Sequence, residues 1–236
     1  MRNWRGGKLK RIFKRVLRYL RVPGTINLIV LGWAGPLLLP IEAPAGYEFS
    51  LASETDVEEI SACSNRDIAA RAYSTTLFRQ FFRAGHRCAV VRARGEMIGH
   101  LWAFKDEYII TLDDYRYTRL TIALETTSIF TGNAYIAPRH RDHGVFRQLK
   151  LYLMHQHARG TRFYAWVDEL NGASLAANRV LGFEPLAVLR FGGSETQRQL
   201  SLQTFNSDEW LALDRPWPVL RIAENRLLIE TATTSS

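Results

Sequence analysis

The chain has 236 residues, 47% of them hydrophobic and 23% charged. That mix suits one ordinary folded domain with extensions, or at most two small ones, and excludes a disordered or fibrous protein. Two cysteines, Cys63 and Cys88, and no Asn-x-Ser/Thr sequon exclude a cystine-stapled secreted scaffold and point to a reducing, cytoplasmic setting. The net charge of +8 is lopsided: residues 1–22 hold nine Arg and Lys and no acid, leaving 22 basic against 23 acidic residues beyond them, so a surface-wide nucleic-acid binder is disfavoured.

Between residues 8 and 21, Leu9, Ile12, Phe13, Val16, Leu17 and Leu20 recur at spacings of three and four and line one stripe of a helix. Arg and Lys occupy the opposite face, and Pro23-Gly24 ends the pattern. Such a basic amphipathic helix fits a membrane surface, with its stripe in the acyl boundary and its cations on anionic lipid at about 1 kcal/mol each. A helix packed on its own domain is the alternative. A nucleic-acid arm is the weakest reading, because Phe13 and Tyr19 are too few for base stacking. Residues 22–41 carry no charge and are strongly apolar, but Pro23, Gly24, Gly32, Gly35, Pro36 and Pro40 break the run. A short strand over 28–31, followed by a loop dipping into the membrane interface, is expected in preference to a single signal anchor. Residues 1–45 thus read as a membrane-peripheral anchor at the inner face.

The body reads as strands first, then helices and strands in alternation. Strands are expected over 47–52, 88–94, 97–104, 108–112 and a long run ending at Ile136, then over 162–167, 185–191 and 198–205. Helices are expected over 53–63, with Thr55 and Glu58 at capping-box spacing, over 67–84, after Gly144, and over 173–181. This order predicts an α/β fold, a mixed central sheet with helices on both faces over residues 46–192. Residues 193–236 form a C-terminal strand and an extension with a disordered tail. In that extension, Trp210 and Trp217 either cap the sheet or help form an acceptor pocket.

The densest chemistry lies in residues 133–150. An apolar strand runs into Ile136-Ala137-Pro138, and a polar loop of Arg139, His140, Arg141, Asp142 and His143 follows. Gly144 then opens a helix with Val145, Leu149, Leu151 and Leu153 on its buried side. Strand, loop, glycine, helix aims backbone N–H groups and a positive helix terminus at an anion, and a diphosphate is the natural guest. An ordinary strand-to-helix connection with a solvated basic loop fits these residues equally well. The segment is neither a Rossmann fingerprint nor a Walker loop, since it lacks their further glycines and Gly-Lys-Ser/Thr.

Arg141-Asp142-His143-Gly144-Val145-Phe146, entered through Ile136-Ala137-Pro138, resembles motif A of the GNAT acyltransferase superfamily. Asn171, Ser174, Asn178, Gly182 and Phe183 stand at spacings similar to its motif B. The two occur in order, one helix and one strand apart. The resemblance implies a single GNAT-like domain with acetyl-CoA as co-substrate. Its diphosphate would lie on Arg141, Asp142, His143, Gly144, Val145, Phe146 and Arg147, and its pantetheine arm along Tyr135, Ile136 and Ala137. Asn171, Ser174 and Asn178 would hold the cofactor or a bound water.

It further implies that a primary amine attacks the thioester directly, with one group taking the amine's proton and another serving the leaving thiolate. Phe146 stands where the family has a small residue. Asn178 stands where it often has a tyrosine acid, a role an amide cannot fill, so Tyr164 and Tyr152 are the substitutes considered. Glu125 and Asn171 are the candidate catalytic residues, with Asp168, Glu169 and His100 as further bases. No metal is expected, because His155 and His157 lie two apart on a helix and do not share a face. The implied function is N-acyl transfer near the membrane to a small-molecule or lipid-linked amine, such as an amino sugar. An acyl-carrier-protein-dependent long-chain transferase and a non-catalytic scaffold are the alternatives.

Overall fold

The computed structural model describes residues 26–33, 39–65, 75–112, 118–193, 198–204, 218–223 and 226–231. The expected basic helix over 8–21, the part of the second helix before Thr75, Trp210, Trp217 and residues 232–236 lie outside them.

The apolar segment expected to meet the membrane supplies a strand of the sheet, β1 (Ile26–Trp33). Leu28 and Val30 are buried on one face and Leu31 on the other. The strand expected over 28–31 is thus present, but a strand covered on both faces carries the same uninterrupted apolar signal as a membrane segment, so the sequence did not place it in a sheet. β1 pairs antiparallel with β8 (Arg162–Asp168) from Leu28↔Asp168 to Gly32↔Tyr164, and with β9 (Phe183–Gly193) on its other side. The domain boundary read at residue 46 therefore falls inside the folded unit.

Around this centre the remaining strands are β2 (Tyr47–Leu51), β3 (Arg87–Ala93), β4 (Glu96–Phe104), β7 (Ser128–Ile136) and β10 (Arg198–Thr204). They complete an eight-stranded sheet in the order β10-β9-β1-β8-β7-β4-β3-β2. Only β7 and β8 run parallel within it, so the sheet is mixed, as expected.

Helices cover both faces. On one lie α1 (Val57–Asn65) and α2 (Thr75–Arg83), which bury Val57, Ile60, Phe78 and Phe81 against Trp102 and Phe104. On the other, α3 (Val145–His155) buries Val145, Leu149 and Leu153 against Ile98, Leu101 and Phe163, beside α4 (Gly172–Val180). The first helix is capped two residues earlier than expected: Asp56 accepts from the Ser53 amide at 2.8 Å and from its hydroxyl at 3.0 Å, while Glu58 pairs with Arg79.

A second sheet was not foreseen. The strand expected over 108–112 is β5 (Glu107–Leu112), the long run divides into β6 (Thr118–Leu124) and β7, and the C-terminal extension supplies β12 (Arg226–Thr231), paired with β11 (Pro218–Ala223). Their order is β11-β12-β6-β5, with β12 parallel to β6. Ile122, Leu220, Leu227 and Ile229 are buried in the cluster that contains α1, α2 and Phe130. Two six-residue segments, Pro218–Ala223 and Arg226–Thr231, set among polar residues were too short to announce this hairpin.

Candidate functional site

β7 and β8 pair only from Ser128↔Arg162 to Thr131↔Ala165. Beyond that point no ladder joins them, although β7 continues to Ile136 and β8 to Asp168, so the strands part toward their C-terminal ends. Two features hold β7 in this course. Its pairing with β4 shifts register between His100↔Tyr135 and Trp102↔Gly132, and Asn133 adopts φ +52°, which marks a bulge in β7. Gly99 of β4 also lets β7 lie close, because a β-carbon there would stand 2.6 Å from the Tyr135 carbonyl oxygen.

Past Ile136 the chain makes a one-turn 3₁₀ helix, Pro138–His140, then passes through left-handed Asp142 (φ +68°) and Gly144 (φ +73°) into α3. Among the described residues, no protein acceptor is bonded to the backbone N–H groups of residues 142–147; Gln148 is the first donor, to the Gly144 carbonyl at 3.1 Å. A β-carbon on Gly144 would meet nothing within 4 Å, so the space over the turn is open. The sequence therefore places a helix N-terminus and consecutive outward amides at the mouth of the parted strands.

The cationic side chains of the loop serve mainly to fix it. Arg139 pairs with Glu96 at 2.7 Å, and its Nε donates to His140 Nε2 at 3.0 Å. That bond leaves His140 Nδ1–H to donate to the Tyr47 hydroxyl at 3.1 Å. Burial and the Arg139 charge push the His140 imidazole down, so it adds no charge of its own. Arg141 turns back along the chain: its Nε donates to the Ile136 carbonyl at 2.7 Å, and its guanidinium lies 5.7 Å from the Tyr135 ring centre. Arg139, His140 and Arg141 thus brace the turn from within the loop. Arg147, in the first turn of α3, has a buried Nε with no protein acceptor.

The candidate acid–base residues divide by position along the strands. Glu125 precedes β7 and forms an ion pair with Arg162 at 2.9 Å, at the end where β7 and β8 are joined. At about 3.3 Å per residue, eleven residues of extended chain separate it from Ile136, so it is not brought to the loop. Tyr164 shares that joined region, and burial pushes its hydroxyl up to about 12, which unsuits it as a proton donor. Tyr152 stacks on Phe49 instead, 6.2 Å between ring centres.

At the parted end stand Asp168, which accepts from the Leu170 amide at 2.8 Å, and Glu169, which accepts from Asn27 at 2.8 Å. Asn171 caps α4, its Oδ1 accepting from the Ser174 amide at 3.2 Å, so its clearest task is structural. His100 is buried on β4 beside β7: it bonds to the Ser64 hydroxyl at 2.6 Å, and burial pushes it down to about 4 against the opposing Asn133 backbone. Among the described residues no three His, Cys, Asp or Glu side chains gather as a metal site, and both cysteines are buried thiols.

The residue that sequence reasoning missed is Lys150. It is buried on α3, donates to Asn178 Oδ1 from α4, and lies 3.6 Å from the centre of the Phe183 ring. Its signal in the sequence was slight, a lysine next to Leu149 within an apolar stripe.

No family model and no curated protein matches this sequence. Solved structures do. A GNAT-family protein from Novosphingobium aromaticivorans superposes at TM-score 0.50 and 16% identity, over 77% of this chain and 66% of its own. A GNAT-family acetyltransferase from Colwellia psychrerythraea gives 0.51 and 13%, over 78% and 58%, and a Drosophila protein gives 0.50 and 14%, over 78% and 56%. The chain thus spans between 56% and 66% of the lengths of these proteins and has the GNAT fold.

Proposed function

We propose that this GNAT-fold chain is an acyl-CoA-dependent N-acyltransferase, with acetyl-CoA as co-substrate and a primary amine as acceptor. The observation that carries the reading is the turn at residues 142–147, whose amides have no acceptor among the described residues at the head of α3, beside strands that part. A diphosphate suits that turn in charge and in hydrogen-bond demand, and Arg147 adds a cation there. An extended, amide-bearing arm suits the edge of β7 at Tyr135, Ile136 and Ala137, although the Ile136 carbonyl is already held by Arg141. The co-substrate would bring a thioester, the acyl donor, so the protein's task is chiefly to position it and exclude water. Asp168 and Glu169, at the parted end of the strands, would receive the amine's proton. Asn178, buried and committed to Lys150 and the Ser174 carbonyl, supplies no proton to the thiolate.

The sequence of residues 8–21 supports action beside an anionic membrane, on an amine such as an amino sugar or a lipid-linked precursor. Among the described residues no helix is long and apolar enough to cross a membrane.

Calorimetric titration with coenzyme A tests the site, and free-thiol release from acetyl-CoA across a panel of amines tests the reaction. Binding with turnover of at least one amine is expected. Binding with turnover of none would favour the scaffold, and absence of binding would end the proposal.

A further inference from the structure

Lys150 is the one Lys or Arg buried among the described residues. Its surroundings are nearly neutral. From α4 it meets Asn178, whose Nδ2 is committed to the Ser174 carbonyl at 2.8 Å, while the neighbouring Arg179 is exposed. From β9 it meets Phe183, and strand alternation turns Glu184 to the opposite face. On its own helix the charged neighbour one turn back is Arg147, which repels rather than pairs. Among the described residues no carboxylate faces the amine, and burial pushes Lys150 well below the ordinary lysine range.

Five residues separate Lys150 from Val145, about 7.5 Å along the axis at 1.5 Å per residue. Over that distance, through protein rather than salt solution, a dianion at the head of α3 acts on Nζ with little screening. It would supply the counter-charge that the fold withholds.

We infer that Lys150 takes up a proton when a diphosphate-bearing ligand seats on the α3 turn, so that ligand and proton bind together. The inference rests on the proposed function, since it needs that charge at that turn. Reciprocity then requires the ligand's affinity to fall as pH rises from the proton-binding range of the unliganded protein through that of the complex.

Titration of the full chain with coenzyme A between pH 5.5 and 10, in buffers of different ionisation enthalpy, reads the protons absorbed. The unaltered protein is expected to absorb more than Lys150→Met somewhere in that range, the difference approaching about one proton per ligand, and its affinity should converge on the variant's at high pH. Methionine keeps the length and apolar stem of lysine. Should the variant fail to fold, NMR titration of ε-¹³C-lysine in the unaltered protein, with and without coenzyme A, reads the same proton. Equal uptake in both proteins, or a buried-lysine resonance whose titration the ligand leaves unmoved, overturns this inference while the function stands. Failure of coenzyme A to bind overturns both.

Discussion

A β-carbon on Gly99 would lie 2.5 Å from Ile136 Cδ1 and 2.6 Å from the Tyr135 carbonyl oxygen, and the second of these is backbone in a paired strand. Gly99→Ala is therefore expected to cost about 1–3 kcal/mol in urea unfolding, because β7 must move away from β4. Arg147 stands where a negative charge favours the helix but opposes an anionic ligand. Arg147→Glu should keep the fold and weaken coenzyme A at least about tenfold by calorimetry; unchanged affinity would place the diphosphate elsewhere.

His100 links one residue to pH. Its folded pKa of about 4 lies below the ordinary 6.5, so between these values the unfolded chain binds more protons. Its contribution is whole above pH 6.5 and is lost as pH falls toward 4, about 3 kcal/mol in order of magnitude. His157, also pushed down to about 4 by burial, acts in the same sense. Comparing unfolding at pH 7 and 4.5 should show a shallower loss for His100→Phe than for the unaltered protein; equal slopes would show that His100 is not the sensor.

β1 joins β8 to β9, so removing it parts the sheet through its centre. Truncation of residues 1–22 should leave the cooperative unfolding transition in place, whereas truncation of residues 1–35 should abolish it, as far-UV and near-UV circular dichroism would report. The shorter truncation also isolates the basic head. If that head contacts lipid, its loss releases the protein from anionic liposomes. Continued sedimentation with them would move the contact to the folded body rather than to β1, whose apolar side chains are spent within the sheet. At this scale most elements were legible: the strands at 97–104 and 162–167 and the helix after Gly144 lie within two residues of the observed ones. The β11–β12 hairpin was not, because its apolar residues acquire a partner only when β6 lies beside β12.

As a whole the molecule sets α3 and α4 on one face of the large sheet and α1, α2 and the second sheet on the other, with the parted strands opening at one end. A ligand seated in that opening binds the folded state alone and should stabilise it. Coenzyme A at 100 times its Kd should add about 2.7 kcal/mol, seen as a rise in Tm. No rise at any concentration would show that the turn holds no such ligand.

Local order along the chain was enough to determine the strand–loop–glycine–helix segment at residues 133–150 and the motif spacing that pointed to a GNAT fold, since both depend on neighbours in sequence. Tertiary structure alone decided that residues 26–33 lie inside the sheet, that Glu125 stands far from the loop, and that Arg139 and Arg141 brace the turn. It also enclosed Lys150 against Asn178, a partner 28 residues away. The physical reason is common to these cases: burial and electrostatic pairing belong to what surrounds a residue in space, and residue type alone does not specify those surroundings.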